Sequence, residues 1–333
     1  MPFLNTDIPE LSGFDTGVCL SNLNTLSIRS GRIHESILAV LAELTEAIVR
    51  DAGGDPDTVD SILLSLQSPQ DDGEDGGIPP HLLEQLAPVN RELVRRMLCP
   101  SGLYMRLLVY ALIAEKMPGY TRPMATSPLP STVRGRVAYM PGSFADKAYL
   151  QLTRAVKNPR AAMTASFVDA CEEVHDGLCE FCILPLENNH SGRLSAFTRL
   201  IIRYRLQVVA VCDLENGAAG QTTRFALLRE AREGIPSSPI TESNRENLLF
   251  ELIHLTQTPA LTELLLAAQF CGLSLCRVDT LPQFDELELM TEDSEAMATA
   301  CVFSVADGDL AVFRRFLALE APENIDIGLY TII

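Results

Sequence analysis

A proline-rich segment divides this sequence into two halves in which apolar residues repeat with different periods. Before the segment, apolar residues recur three or four positions apart, which predicts a helical module over residues 28–118. After it, short apolar runs with strand character alternate with amphipathic stretches of helical period. The segment itself, residues 119–135, carries several prolines among serines and threonines, a composition that favours extended backbone and predicts a linker.

The half after the linker divides into two predicted domains. Over residues 136–240, strands alternate with helices, which predicts a mostly parallel sheet covered on both faces, with ligands at the carboxyl ends of its strands. Over residues 246–333 the predicted order is β-α-β-β-α-β, the ferredoxin-like split βαβ arrangement. The predicted fold class is therefore α/β and α+β, preceded by an N-terminal helical module.

The charge and hydropathy of the chain disfavour several classes of partner. The 26 Lys and Arg residues against 44 Asp and Glu residues give a net charge of −18, which disfavours nucleic acid and anionic membranes. The longest uninterrupted apolar run, residues 107–114, is much shorter than a membrane span, and the N-terminus lacks a basic and then apolar signal pattern. We therefore expect a cytoplasmic protein.

The nine cysteines are an odd number, which together with the absence of a signal pattern favours free buried thiols over a disulfide framework. Cys179 and Cys182 form a Cys-x-x-Cys motif at a predicted buried strand. Residues three apart in a strand point to opposite faces, so we expect no metal site from this pair.

Two polar stretches carry the residues suited to chemistry. Thr223 and Arg224 begin a predicted strand, where a hydroxyl can protonate a leaving group and a guanidinium can bind a carboxylate; the same pair is also compatible with a plain strand start. Glu187 and Asn188 follow another predicted strand, and both residue types also serve as caps for the helix predicted from Ser191. The nearby arginines are interpreted as a solvated helix face: Arg193, Arg199, Arg203 and Arg205.

Together these pieces resemble a prephenate dehydratase followed by an ACT regulatory domain. The resemblance covers about residues 134–333, and the motifs keep the order they have in the family. The matching segments are Arg136-Val137-Ala138-Tyr139, Gly142-Ser143-Phe144, Phe167-Val168-Asp169-Ala170, Asp176-Gly177, Pro185-Leu186-Glu187-Asn188, Thr223-Arg224-Phe225 and residues 272–282. The family converts prephenate to phenylpyruvate, water and carbon dioxide in phenylalanine biosynthesis.

The resemblance implies a role for each matched residue. Thr223 is the general acid that helps the ring hydroxyl to leave, Arg224 binds a substrate carboxylate, and Phe225 completes the catalytic motif. The implied substrate-binding residues are Ser143, Glu187 and Asn188. Aromatisation drives the reaction, so the enzyme only orients and protonates its substrate, and no cofactor or metal is implied.

The chain departs from the family where the second lobe of the cleft belongs. The family inserts this lobe between the strand matching residues 206–212 and the Thr-Arg-Phe strand, and here only residues 213–221 intervene. A segment of this length forms a turn and not a lobe. We therefore predict a truncated, single-lobe domain with an open cleft, in which water weakens the charge interactions that catalysis uses.

The ACT-like part departs from the family at both effector motifs. The glycine-alanine-leucine motif becomes Pro259-Ala260-Leu261, and the glutamate-serine-arginine-proline motif becomes Asp279-Thr280-Leu281-Pro282, without the arginine. The implied effector site, consisting of Pro259, Ala260, Leu261, Asp279 and Thr280, is thus degenerate, and feedback by phenylalanine is not expected. ACT domains pair side by side, so the resemblance implies a homodimer joined through this part.

The helical module stands where bifunctional relatives carry chorismate mutase. That reaction needs several cationic side chains around a dianion, and residues 51–90 contain no Lys or Arg. The module is therefore either a degenerate mutase or an unrelated helical cap.

Two functions follow from these observations. The first is a prephenate dehydratase family protein of phenylalanine biosynthesis with impaired or lost catalysis. The alternative is a non-catalytic, ligand-binding or regulatory pseudoenzyme of aromatic amino acid metabolism. The expected ligand is a small molecule, either prephenate or an aromatic amino acid.

Overall fold

The structure is a computed structural model, and its described residues form two compact units, one within residues 1–100 and one within residues 101–333. The residues that it describes are 16–65, 80–88, 90–91, 94, 103–117, 120, 126–127, 134–216, 220–231, 238–239, 247–255, 261–281, 298–306 and 308–333. None of the helices in these stretches is long and apolar enough to cross a membrane.

The first unit is built from helices, as the helical period predicted. Its helices are α1 (Thr16–Asp51), α2 (Pro56–Ser65) and α3 (Pro80–Gln85), so the first begins before the predicted start at residue 28. Leu41, Leu44 and Ile48 recur along one face of α1 and are fully buried, which gives this helix the apolar stripe that packing requires. Asp55 accepts hydrogen bonds from the hydroxyl and backbone N–H of Thr58 at the start of α2, and these bonds lower the pKa of its carboxyl.

The second unit combines helices with one large sheet. Its helices are α4 (Leu103–Lys116), α5 (Ser143–Leu152), α6 (Phe167–His175), α7 (Ser195–Arg203), α8 (Leu261–Phe270) and α9 (Leu310–Glu320). Its strands are β1 (Thr126–Ser127), β2 (Arg134–Tyr139), β3 (Lys157–Met163), β4 (Phe181–Asn188), β5 (Gly192–Arg193), β6 (Leu206–Asn216), β7 (Gln221–Glu230), β8 (Ser238–Pro239), β9 (Leu248–Leu255), β10 (Ser274–Leu281), β11 (Ala298–Ser304) and β12 (Ile325–Ile332). The mixed α/β fold class is confirmed.

Helix α4 lies in the second unit, whereas the sequence predicts it as the last helix of a module over residues 28–118. The guanidinium of Arg106 donates to both carboxylate oxygens of Glu320 in α9, at 2.9 and 2.8 Å, and the hydroxyl of Tyr110 donates to the same carboxylate at 2.6 Å. Tyr104 packs edge to face on Phe270 of α8 with 5.3 Å between ring centroids. These contacts fasten α4 to the helices of the C-terminal part, which the helical period alone does not reveal.

The two predicted domains after the linker share one sheet. Its strand order is β10-β11-β9-β12-β6-β7-β4-β2-β3, with β5 paired to β4. Strand β12 of the ferredoxin-like part pairs in parallel with β6, so the boundary predicted between residues 240 and 246 does not separate two sheets. At this junction Gly328 has a φ of +146°, and a Cβ there would lie 2.3 Å from the carbonyl oxygen of Val208. Only glycine allows the two strands to approach so closely.

Strand directions confirm one prediction and correct another. Strands β10, β11, β9 and β12 are neighbours in antiparallel pairs, the arrangement that the β-α-β-β-α-β order predicted. The other part was expected to be mostly parallel, but only β2 pairs in parallel with β3 and β4, while β7 runs antiparallel to both β4 and β6. The reason is the short connection after β6, which forces the chain to turn back as a hairpin.

Four described strands were not predicted from the sequence: β1, β3, β5 and β8. Strand β3 escaped prediction because it contains Pro159, which removes a backbone donor; it lies at the edge of the sheet, where a proline is tolerated. Within the predicted linker 119–135, β1 pairs with β8 in a two-stranded ladder.

Each face of the large sheet carries its own core. Helix α5 covers one face, where Val137, Ile183 and Leu227 are buried. Helices α6 and α7 cover the other face, and the core there continues into Ile253 and Ala300 of the ferredoxin-like strands. Five strands separate β10 from β4 in the sheet order, yet side chains of these two strands are in contact. The sheet therefore coils strongly and brings β10 to the end of β4.

Candidate functional site

The coiled sheet encloses a polar cleft of about 260 Å³ where β4, β6, β7 and β10 come together. Its charged lining consists of Arg193, Arg224, Arg277, Glu187, Asp213 and Asp279. Its other lining residues are Asn188, Asn189, Gly192 and Thr222. Both predicted polar stretches therefore contribute to one site.

Arg224 lies between two carboxylates on neighbouring strands. The β6–β7 hairpin places Asp213 directly opposite Arg224, and the β4–β7 pairing places Glu187 opposite it on the other side. The Nε and NH2 groups of Arg224 donate to the two oxygens of Asp213 at 2.7 and 2.8 Å, and NH1 lies 2.8 Å from Oε1 of Glu187. The hydrogen bond to Asp213 is the largest influence on the pKa of Arg224, which is raised, so its guanidinium stays charged.

Arg277 of β10 reaches the same carboxylate from the opposite side of the cleft. Its NH1 and NH2 groups lie 2.9 and 2.7 Å from the two oxygens of Glu187, and its Nε lies 2.8 Å from Oδ2 of Asp279. Burial opposes the charge of Arg277, but the contacts with Glu187 outweigh it and raise the pKa of the guanidinium. The cleft thus has a wall from the ferredoxin-like part, whereas the sequence predicted a site open on one side.

Arg193 lines the cleft, and a buried network of hydrogen bonds holds its side chain. Its NH1 group donates to Oε1 of Glu251, its Nε donates to the hydroxyl of Thr198 at 3.1 Å, and the hydroxyl of Tyr330 donates to Oε2 of Glu251 at 2.9 Å. The side chains of Arg193 and Glu251 are only 5% and 1% exposed. Burial and the nearby Glu251 raise the pKa of Tyr330, so its hydroxyl keeps its proton and remains a donor.

The residues assigned to catalysis fall on two faces of β7. Arg224 and Thr222 line the cleft, and Thr223 does not. Successive side chains of a strand point to opposite faces, so Thr223 shares a face with Phe225, which is buried in the core beneath α5. Ser143 is exposed at the first turn of α5 and is also absent from the cleft lining. Of the six residues assigned to catalysis and substrate binding, the cleft brings together Glu187, Asn188 and Arg224.

The side chain of Asn188 stabilises a turn that precedes α7. The side-chain oxygen of Asn188 accepts the backbone N–H groups of His190 at 3.1 Å and Ser191 at 2.5 Å, which closes a turn. Helix α7 begins later, at Ser195, so Asn188 stabilises this turn and does not cap the helix predicted from Ser191. His190 is exposed and does not line the cleft.

Several residues of the cleft were missed or misread from the sequence. Arg193 was interpreted as part of a solvated helix face, but it is buried; Arg199, Arg203 and Arg205 are exposed as expected. The place of Asp213 in the site could be predicted from the sequence, because a hairpin closed by residues 213–221 brings position 213 opposite position 224. Arg277 was not detectable, because only the coiling of the sheet brings β10 to β4.

The degenerate effector residues are only partly described. Pro259 and Ala260 lie outside the described residues, and Leu261 is the first residue of α8. Asp279 lines the cleft beside Arg277, while Thr280 is exposed on β10.

Of the cysteines whose side chains the structure describes, Cys276 is an exposed free thiol, and the others are buried free thiols: Cys171, Cys179, Cys182, Cys212, Cys271 and Cys301. Cys179 and Cys182 lie in the same core and not on opposite faces, because β4 begins only at Phe181 and strand alternation does not extend back to Cys179. Burial, with a hydrogen bond to Glu173, raises the pKa of Cys179 to about 12. No group of three or more metal-ligating side chains is found within the described residues.

No family model matches this chain, and no curated protein sequence matches it. Similar solved structures include a prephenate dehydratase from Streptococcus mutans, at 17% identity and a TM-score of 0.44, covering 59% of this chain and 98% of that one. GqqA, described as a quorum-quenching acylase, has 19% identity and a TM-score of 0.43, covering 59% and 94%. The prephenate dehydratase of Arthrobacter aurescens in complex with L-phenylalanine has 13% identity and a TM-score of 0.42, covering 59% and 90%.

Proposed function

We propose that this chain is a prephenate-dehydratase-like protein of aromatic amino acid metabolism that binds a small molecule in its cleft and has lost efficient dehydration. The motifs of residues 134–333 support the relationship. The observation that carries the loss of catalysis is the pairing of Arg224 with Asp213 and Glu187.

Carboxylates of the protein already satisfy Arg224. Arg224 is the residue assigned to a substrate carboxylate, and its Nε, NH1 and NH2 groups each contact a protein carboxylate. A substrate carboxylate must therefore displace charge-assisted hydrogen bonds, which are about twice as strong as neutral ones. It must also come close to the negative charges of Asp213 and Glu187.

The position of Thr223 supports the same conclusion. A general acid has to come within hydrogen-bond reach of the leaving oxygen, about 2.6–3.2 Å away. Thr223 does not line the cleft and shares its face of β7 with the buried Phe225. A ligand held by Arg224 is therefore on the wrong face of the strand to receive a proton from Thr223.

The wall formed by β10 supports retained binding. Arg277 and Asp279 of β10 complete a concave, charged site with residues of β4, β6 and β7. A cleft with convergent polar groups is the usual form of a small-molecule site. The same chain thus combines the elements of a binding site with a poor arrangement for proton transfer.

Incubation with prephenate tests this function directly. Phenylpyruvate is measured by its absorbance in base, with an intact prephenate dehydratase under the same conditions as the control. We expect turnover at least about a hundredfold lower than in the control, since the loss of one transition-state donor costs about that factor. Turnover at the rate of the control enzyme would refute the proposal.

We also propose a homodimer joined through β10. In the described part of the chain, β12 of the ferredoxin-like strands is covered by β6, and β10 is left at the edge of the sheet. Leu275 and Val278 of β10 are 45% and 43% exposed. An edge strand with exposed apolar side chains is a template for pairing with another chain.

A further inference from the structure

Positive and negative charges balance in the cleft. Within the described residues, three guanidinium groups and three carboxylates line it: Arg193, Arg224, Arg277, Glu187, Asp213 and Asp279. A dianion brings excess negative charge into this neutral lining, in a protein whose net charge is already −18. A zwitterion adds no net charge and offers a partner to both kinds of group.

The guanidinium of Arg193 has one nitrogen without a hydrogen-bond partner in the described part of the chain. The NH2 group of Arg193 is buried and has no hydrogen-bond partner among the described residues, although the side chain is 5% exposed and lines the cleft. A buried N–H group without a partner is unfavourable, and a carboxylate is the acceptor that a guanidinium binds best. Glu251 and Thr198 hold the rest of the guanidinium, so this donor is fixed in position before a ligand arrives.

Two carboxylates of the lining can accept an ammonium group. The side chains of Asp213 and Asp279 are 44% and 33% exposed, compared with 16% for Glu187. Each contacts one arginine, and a carboxylate has lone pairs for further donors. Both therefore remain open to a cationic group that enters from the solvent.

The rest of the lining favours a polar ligand of small size. Asn188, Asn189 and Thr222 contribute amide and hydroxyl groups, and none of the described residues that line the cleft has a hydrophobic side chain. The volume of about 260 Å³ lies just below the usual range for drug-sized ligands. An aromatic ring would find no hydrophobic side chain among the described residues of this lining.

We propose that this cleft binds a free α-amino acid with a polar side chain, its carboxylate beside Arg193 and its ammonium group beside Asp213 and Asp279. The inference rests on the proposed function, because it specifies the ligand of the same cleft. It differs from binding of the dianion prephenate and from binding of an aromatic amino acid.

The test measures binding to the full chain by calorimetry with L-asparagine, L-glutamine and L-serine. Two analogues of L-asparagine serve as matched probes: succinamate lacks the ammonium group, and 3-aminopropanamide lacks the carboxylate. We expect at least one of the three amino acids to bind at millimolar concentration or below. For L-asparagine we expect each analogue to bind at least about tenfold more weakly, as expected for the loss of a charge-assisted contact.

A pair of variants tests the ammonium site. We expect Asp279→Asn to weaken amino acid binding at least about tenfold and to leave the affinity for succinamate unreduced. Asp176→Asn makes the same change of charge at an exposed position after α6, and we expect it to change neither. Thermal unfolding checks that each variant is folded, and Asp213→Asn replaces Asp279→Asn if the latter is not.

Three outcomes would overturn the inference. In the first, succinamate binds as tightly as L-asparagine. In the second, L-phenylalanine binds more tightly than any of the polar amino acids. In the third, none of the three polar amino acids binds at millimolar concentration. A parallel titration with prephenate separates this inference from the proposed function. Binding of prephenate without turnover and without amino acid binding refutes the inference alone, whereas rapid turnover of prephenate refutes the proposed function.

Discussion

The carboxylate of Asp213 binds the guanidinium of Arg224 across a single hairpin, with its two oxygens 2.7 and 2.8 Å from Nε and NH2. The two residues lie directly opposite each other on β6 and β7. In the family that the sequence resembles, a complete lobe separates the corresponding strands. The short connection therefore brings together a carboxylate and the arginine that the resemblance assigns to the substrate.

Asp213→Asn is expected to change the preference of the cleft. It removes a negative charge beside Arg224, which should raise the affinity for prephenate about fivefold, or about 1 kcal/mol after allowance for the solvent exposure of Asp213. The same change removes the negative charge that attracts an ammonium group and should weaken amino acid binding. Calorimetry with both ligands measures the two effects, and a change of equal sign for both would contradict this prediction.

Thr223→Ala is expected to leave binding in the cleft unchanged within about twofold, because Thr223 lies on the face of β7 that points away from it. Thr222→Ala is the matched change on the face that lines the cleft, and it should weaken binding. Calorimetry compares the two variants, with the amino acid among L-asparagine, L-glutamine and L-serine that binds the wild-type protein most tightly. Loss of binding in Thr223→Ala alone would show that this hydroxyl serves the site after all.

The protein is expected to be a dimer in light scattering, joined through β10. Val278→Lys places a charge on the exposed edge strand and should shift the molar mass to that of a monomer. Leu150→Lys also introduces a lysine, at an exposed position of α5, and should leave the dimer intact. A wild-type monomer, or a dimer that survives Val278→Lys, would contradict this arrangement.

L-phenylalanine at millimolar concentration is expected not to raise the melting temperature. Pro259 offers no backbone N–H to an effector, and Leu281, in the place of the family's arginine, offers no guanidinium. A ligand that binds the native state raises the melting temperature by mass action, so a clear rise would refute this expectation.

The first unit is expected not to convert chorismate to prephenate. Residues 51–90 contain no Lys or Arg, and the flanking arginines bond to uncharged protein groups: Arg50 donates to the side chain of Gln85, and Arg91 donates to the backbone carbonyls of Glu84 and Leu86. Residues 51–90 and these two arginines therefore offer a dianion no cluster of free cations of the kind that the reaction needs. The chorismate absorbance band should decay at the spontaneous rate when the protein is added, and faster decay would contradict the prediction.

Gly328→Ala is expected to destabilise the second unit by about 3 kcal/mol. The new Cβ would meet the backbone of Val208 at a φ of +146°, which side chains rarely adopt. Gly142→Ala is the matched control, since a Cβ there has nothing within 4 Å, and it should cost at most about 1 kcal/mol. Urea unfolding measures both, and equal stability of the two variants would show that the β6–β12 junction tolerates a side chain.

Local patterns in the sequence determined most of the elements of the second unit. The sequence predicts a helix over residues 167–175 and a strand over residues 248–255, and α6 and β9 have these bounds. The short segment after β6 also predicted a turn, and β6 and β7 form a hairpin, since chain length limits what a connection can form. These features depend on neighbours in the sequence, so the sequence alone was enough to predict them.

The assembly of the site was decided only by tertiary structure. Thr223 and Arg224 are neighbours in the sequence, but the pleat of β7 sends them to opposite faces, and the site forms on the face that the coiled sheet encloses. Arg277 and Glu187 are far apart in the chain and in the strand order, yet they form an ion pair across the cleft. The sequence determined which side chains were available. The curvature of the sheet and the parallel pairing of β12 with β6 determined which of them meet, because contacts between distant strands depend on the path of the whole chain.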